Sequence, residues 1–176
     1  MTAPAIDALQ AFVQQHAGLL VITGAGCSTD SGIPAYRDTE GAWMRPPPMT
    51  FQQFMGTEAA RQRYWARSMV GWSMFSGGRP NQAHLALRSL ESKGCIGLLV
   101  TQNVDGLHRL AGQRQLLELH GSLAEVVCMQ CAQKIERVAY QQRLLSANPV
   151  WADRTAVLGP DGDVDLEADF SSFVVP

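Results

Sequence analysis

The chain has 176 residues, 46% of them hydrophobic, and a formal charge of −2 at neutral pH. That length suits one domain, or one domain with a small module, and supplies enough apolar residues for a sizeable core. The near-neutral balance gives no support to a broad nucleic-acid footprint, and no apolar run is long enough to span a membrane. The start, "MTAPAIDALQ", lacks the basic region and apolar core of a signal peptide. Four cysteines at uneven spacing, Cys27, Cys95, Cys128 and Cys131, do not read as a secreted disulfide framework. The expectation is a cytoplasmic protein with neither membrane nor nucleic acid as partner.

In chain order, "PAIDALQAFVQQHAG" predicts an amphipathic helix with Ile6, Leu9, Phe12 and Val13 on one face and Gly18 as its end. "LLVIT" (19–23) predicts a short buried parallel strand. A glycine-bearing stretch follows, and residues 39–49, with "RPPP", read as a mobile loop that cannot be helix interior. Residues 57–77 are helical in composition. "NQAHLALRSLESKG" predicts a helix with Asn81 as N-cap and Gly94 as stop. "CIGLLVTQN" (95–103) gives a second buried strand and "LLELHG" (116–121) a short third. Beyond Gly121 come a Cys pair, a helical stretch near 137–147 and a loop-rich acidic tail. This order predicts an α/β fold, a partial doubly wound (Rossmann-like) parallel sheet covered by helices.

In "LLVITGAGCSTDSGIPAYRD", Gly24 and Gly26 directly follow a strand, where a doubly wound fold binds a dinucleotide. The usual third glycine position is occupied by Thr29, and the next glycine is Gly32. A cofactor loop and an ordinary strand-to-helix turn are therefore both open readings. Arg37, further on, is placed to hold a phosphate or orient a ribose, or to pair with Asp38 at the surface.

"LLVTQNVDGLH" runs an apolar strand into Gln102, Asn103 and Asp105. The carboxyl end of a strand is the ligand face of an open α/β sheet, and a plain helix cap needs one such side chain, not three. His120 ends the third strand in the same way, and histidine is the side chain best suited to proton transfer near neutral pH. Cys128 and Cys131 form a Cys-x-x-Cys pair, which is half of a zinc site or a redox dithiol. Cys27 and Cys95 flank apolar strands and read as buried small hydrophobes.

"GAGCSTDSGIPAYR", "TQNVDGLH", "LHGS" and "CMQC" occur in the order and approximate spacing of the sirtuins, which this chain resembles from about residue 18 onward. "RQRYWARSMVGW" and "PDGDVDL" resemble the class II branch. Two departures stand out. The family commonly has Asp then Phe where this chain has Ala35 and Tyr36. The family also continues past a stretch like "SSFVVP" into a second Cys pair and the last half of the sheet, so the resemblance implies a truncated sirtuin.

The resemblance implies NAD-dependent protein lysine deacylation, in which the acyl group passes from lysine to ADP-ribose and nicotinamide leaves. It implies residues 1–120 as the N-terminal part of an NAD-binding domain and 121–176 as part of a zinc module. Gly24, Ala25, Gly26, Thr29, Tyr36, Arg37, Gln102, Asn103, Val104, Asp105 and His120 would contact NAD. His120 would act as general base, with Asn103 and Asp105 beside it, and residues 38–49 would form a lid. Cys128 and Cys131 would be zinc ligands. Tyr64 and Arg67, at i and i+3 on one helical face, resemble a pair that binds acidic acyl groups; the bland reading is an aromatic beside a solvated Arg. The partners implied are acyl-lysine proteins, with self-association through an exposed sheet edge. Mono-ADP-ribosyl transfer at the same site, or a chain without turnover, are the alternatives.

Overall fold

A computed structural model describes residues 3–44 and 47–176; Met1 and Thr2 of the expected N-terminal stretch, and Arg45 and Pro46 of the expected loop, lie outside the described residues. Helix α1 (Ala3–Gln15) leads to strand β1 (Leu19–Thr23), a 3-10 turn (Ala25–Ser31), and helices α2 (Phe51–Gly56), α3 (Glu58–Phe75) and α4 (Gln82–Ser92). Strand β2 (Ile96–Thr101), the short helix α5 (Leu107–Leu110) and β3 (Leu116–Glu118) follow. The remainder comprises hairpin β4 (Glu125–Val127) and β5 (Lys134–Glu136), helix α6 (Arg137–Ala147), a second 3-10 turn (Pro149–Trp151), and hairpin β6 (Val157–Leu158) and β7 (Val164–Asp165).

The main sheet has the order β1-β2-β3, and both pairings are parallel. Parallel strands end on one edge, so the segments after Thr23, Thr101 and Glu118 emerge together. Two extra bonds extend the register past the strands: Gln102 N–H donates to the Thr23 carbonyl at 3.0 Å, and Leu119 N–H to the Thr101 carbonyl at 2.9 Å.

The expected strands and helices are present, but two burial expectations fail. Strand β1 alternates: Leu20 and Ile22 are 61% and 65% exposed. On α1 the apolar face is also open, with Ile6, Leu9 and Phe12 each about half exposed. The physical reason is the same for both. Periodicity identifies the apolar face of an element, whereas burial needs a second element against it, and none of the described residues covers these faces.

A closed apolar core lies elsewhere. Trp65, Ala66 and Met69 of α3 pack with Tyr140 and Leu144 of α6 and with Trp151 and Phe173. Arg137, only 2% exposed, fastens α6 to α3: Nη1 donates to Gln141 Oε1 at 2.7 Å, Nη2 to the Ser68 carbonyl at 3.2 Å, and the guanidinium stacks over Trp72 at 4.4 Å. Burial lowers its pKa to about 10. Gly71 on α3 sits against the Gly162 backbone, where a Cβ would collide with its carbonyl oxygen. A smaller cluster, Ile33, Phe75 and Leu107, lies beneath the loop after β1.

Candidate active site

The loop after β1 is shaped by its neighbours. Gly24 is extended (φ −136°, ψ −172°), and the turn ends at Gly32, whose φ of +83° is the left-handed conformation that favours glycine. Gly32, not Gly24 or Gly26, is thus the glycine the backbone angle demands. An added Cβ at Gly26 would meet open space, so a ligand can approach the backbone there.

Side chains from the end of β2 hold this loop. Asn103 Nδ2 donates to the Gly24 carbonyl and to Ser28 Oγ, both at 3.1 Å. Ser28 Oγ donates to Asp105 Oδ2 at 2.6 Å, and the other Asp105 oxygen accepts from Leu107 N–H at 2.8 Å. Asp105 therefore satisfies the first amide of α5 and anchors the loop at once. From α4, Asn81 Nδ2 donates to the Cys27 carbonyl at 2.8 Å, while Asn81 Oδ1 caps its own helix. Ser28, 1% exposed, is the residue that sequence reasoning missed. Its signal was weak: one small polar residue among several, with its partner 77 positions away.

His120 is exposed just past β3, and its Nδ1 lies 3.1 Å from the Gln102 carbonyl oxygen. A carbonyl can only accept, so Nδ1 carries the proton and Nε2 is left with a free lone pair. Gln102, Gly26 and Thr29 are exposed at the same edge, while Ala25, Val104 and Asp105 are half-buried and Asn103 is buried. The structure thus brings the residues from the three strand ends together.

Tyr36 and Arg37 stand apart in a loop folded on itself. Met44 N–H donates to the Tyr36 carbonyl at 2.9 Å, and Tyr36 meets Trp43 edge-on with centroids 6.3 Å apart. Burial and the nearby Asp161 carboxylate push the Tyr36 phenol up. Arg37 does not pair with Asp38: it stacks 4.0 Å over Trp43 and donates to the Gly41 carbonyl at 2.7 Å. Asp38 Oδ1 is instead used by the Glu40 and Ala42 amides, both at 2.9 Å, as turn chemistry favours.

Tyr64 packs edge-on against Phe54 and Trp65, and burial raises its phenol. Arg67 is already engaged. Its Nε donates to Asp163 Oδ1 at 3.0 Å and to the Val164 carbonyl at 2.7 Å. Burial outweighs Arg67 at Asp163 and pushes that carboxyl up to about 6. This ion pair binds α3 to the β6–β7 hairpin.

Cys128 and Cys131 are exposed on the β4–β5 turn, where Ala132 adopts a positive φ of 59°. Cys131 and Gln130 backbone N–H groups hold the Cys128 thiol below its usual range, which favours the thiolate a metal needs. The turn fits two of the four ligands of a structural zinc site. Cys27 and Cys95 are partly exposed rather than fully buried, because Cys27 lies in the 3-10 turn after β1 and Cys95 just before β2, neither inside the sheet.

The chain, glycine loop included, is similar to known proteins. A model of the Sir2 family matches residues 24–161. An NAD-dependent protein deacetylase of Xanthomonas campestris is 55% identical over 96% of this chain and 58% of its own length. One from Bordetella bronchiseptica is 57% identical over 97% of this chain and 63% of its own. This chain therefore spans about three fifths of the length of these relatives. A solved structure described as "Sir2-p53 peptide-NAD+" superposes with a TM-score of 0.68 at 29% identity, over 80% of this chain and 56% of that one. With the match running from the glycine loop through the strand ends to the β6–β7 hairpin, the chain belongs to the Sir2 family.

Proposed function

We propose that this chain carries the reacting end of an NAD-dependent protein lysine deacylase site. The observation that carries the reading is the set of three strand ends: a glycine loop open at Gly26, tethered by Asn103 and Asp105, beside a histidine whose Nδ1–H is pinned and whose Nε2 is free. The deacetylase names of relatives at 55% and 57% identity support it.

When bound, NAD supplies an activated glycosidic carbon and a ribose hydroxyl able to accept the acyl group. The residues of this chain do the rest. Backbone N–H groups of the Gly24–Thr29 loop would hold the phosphates of NAD, with Gln102 and Val104 toward its ribose. Asn103 and Asp105 keep the loop in register and offer acceptors where positive charge develops. His120 Nε2 draws the proton from the hydroxyl that receives the acyl group. Tyr36 and Arg37 complete the cofactor loop, Tyr36 on the nicotinamide side, and the stretch 38–49, of which 38–44 and 47–49 are described, acts as the lid that excludes water. Cys128 and Cys131 supply thiolates to a structural zinc.

Residues 1–120 outside α3 form the NAD-binding part, and the small module takes α3 as well as 121–176, because α3 shares its core. An acidic acyl group reaching Tyr64 and Arg67 would have to displace Asp163, so we infer that acetyl-type groups are preferred. The partners we infer are acyl-lysine proteins, with self-association along the open β1 edge. Among the described residues no helix is long and apolar enough to cross a membrane; we infer a cytoplasmic location from the free cysteines.

The test pairs turnover with binding. Incubated with NAD and an acetyl-lysine peptide, the chain should yield free lysine and O-acetyl-ADP-ribose by mass spectrometry. His120→Ala should lower that rate by ~10²–10⁴ while leaving NAD affinity by calorimetry within a few-fold. ADP-ribose attached to the peptide, with its acyl group retained, would identify transferase chemistry instead. Near-normal deacylation by His120→Ala would remove His120 from the base role.

A further inference from the structure

Behind the glycine loop, three elements bring a thiol and two imidazoles together. Cys27 comes from the turn after β1, His84 from the first turn of α4 and His108 from α5. Each offers a ligand atom, and the three atoms lie within 4.8 Å of one another. His84 and His108 are 0% and 1% exposed, and their ring centroids are 4.6 Å apart. The active-site chemistry uses none of these side chains.

In each ring one nitrogen is occupied and the other is not. His84 Nδ1 lies 2.9 Å from Asn81 Oδ1, and its Nε2 is buried without a partner. His108 Nε2 lies 2.9 Å from Thr23 Oγ1, and its Nδ1 is buried without a partner. Asn81 Oδ1 can only accept, so this contact puts the His84 proton on Nδ1 and a lone pair on Nε2. The Asn81 N–H approaches the same Nδ1 at a longer 3.3 Å and favours the opposite tautomer. If His108 Nε2–H donates to Thr23, a lone pair stands on Nδ1. Imidazoles that bind metals are held this way, one nitrogen on an oxygen and the other on the ion. Buried polar atoms otherwise find partners, so two orphans in one cluster call for an occupant.

We propose that Cys27, His84 and His108 form a second metal site, distinct from Cys128 and Cys131, for a thiophilic divalent ion such as Zn²⁺. Metal–ligand bonds of ~2.0–2.3 Å place tetrahedral donors ~3.3–3.7 Å apart. The three atoms, within 4.8 Å of one another, must then draw closer for one ion to bridge them. Burial holds His108 at about 4 and also lowers His84, so both imidazoles are neutral and ready to ligate at pH 7. Burial and Asp105 keep the Cys27 thiol protonated until an ion takes the proton's place. The Asp105 carboxylate acts on all three groups. Together with one thiolate it balances the charge of a divalent ion. Binding would release one proton from Cys27 and tie the glycine loop to α4 and α5.

Cobalt(II) is the probe, in the 176-residue chain carrying Cys128→Ser and Cys131→Ser. One equivalent should produce the near-ultraviolet thiolate-to-cobalt band and the visible bands of a tetrahedral ion, and Zn²⁺ should displace it. Cys27→Ser should abolish the near-ultraviolet band, and Thr23→Val, which frees His108, should weaken binding ~10–100-fold. Without any substitution in the cluster, Zn²⁺ should slow alkylation of Cys27 by iodoacetamide, followed by peptide mapping. A chain that shows no cobalt band, a band that survives Cys27→Ser, or an unchanged alkylation rate would overturn the site and leave a core histidine pair.

Discussion

The sheet region and the α3–α6 region of this molecule are stabilised in different ways. Around α3 and α6, Ala66 and Leu144 are fully buried and Trp151 and Phe173 nearly so. In the sheet region, Ile96 and Leu99 of β2 are buried, but large apolar side chains on β1 and α1 face solvent, and the loops at the strand ends are ordered chiefly by a polar network: Asn103 to Gly24 and Ser28, Ser28 to Asp105, Asn81 to Cys27. Apolar burial is the larger source of folding free energy. Hydrogen bonds fix positions at modest net gain. The chemistry-bearing edge is thus positioned precisely by residues that stabilise the fold little, as expected of loops that must open for a ligand.

The largest expected effect lies in the closed core. Trp151 stacks on Phe170 with centroids 5.7 Å apart and meets Phe173 edge-on at 5.4 Å. Trp151→Ala should cost ~3–5 kcal/mol in urea unfolding, by lost burial and the cavity left behind. A loss below ~1 kcal/mol would mean that this region is no more consolidated than the sheet.

The two regions also differed in how far the sequence revealed them. Helical composition located α3 and α6, and Asn81 and Gly94 marked the start and stop of α4, because these signals are local. His120 and the Gln102–Asp105 cluster were legible because the ends of parallel strands share one edge. What stayed hidden depended on contacts distant in sequence. Ser28 matters only through Asp105 and Asn103. Arg137 looks like any surface arginine until Trp72 and Ser68 meet it. Hairpins β4–β5 and β6–β7 have strands of three and two residues, too short for an alternating pattern. The open face of β1 could not be read at all, since its hydrophobicity matches that of a covered strand.

Next in size is the polar network. Ser28→Ala would leave the buried Asn103 amide and the Asp105 carboxylate each short of a partner, at ~1–3 kcal/mol. Most of this should appear locally. Amide exchange across residues 24–32 should accelerate while α3 amides keep their protection. Uniform acceleration in both regions would show that the loop is cooperative with the core.

At the seam between the regions, Asp163 should give a pH signature. Its folded-state pKa is raised to about 6, chiefly by burial, above the ordinary value of 3.8. The folded chain then binds more protons than the unfolded chain between about pH 4 and 6. The contribution of this group to stability therefore falls as pH rises through that window. Asp163→Asn keeps an acceptor for Arg67 but cannot ionise. Relative to the parent, its stability should improve from pH 4.5 to pH 8, by on the order of 1–2 kcal/mol after allowance for partial solvation. Urea melts of both proteins at the two pH values cancel the other titrating groups, including His108. A difference that is flat with pH would show that Arg67 compensates the buried charge in full.

The smallest effect should come from the open sheet face. Leu20 pairs in register with Leu98, Ile22 with Val100, and Val100 with Leu117, so one face carries a row of apolar side chains. Leu20→Asn together with Ile22→Asn removes little burial in the isolated chain, and dilute unfolding should shift by less than ~0.5 kcal/mol. Association is the sensitive readout. A row of exposed apolar residues beside a free strand edge favours pairing with another chain. Sedimentation should therefore show concentration-dependent association for the parent that the double variant loses. If the double substitution instead costs several kcal/mol at concentrations where the parent is monomeric, the face is covered within the chain, and the contrast between the two regions disappears.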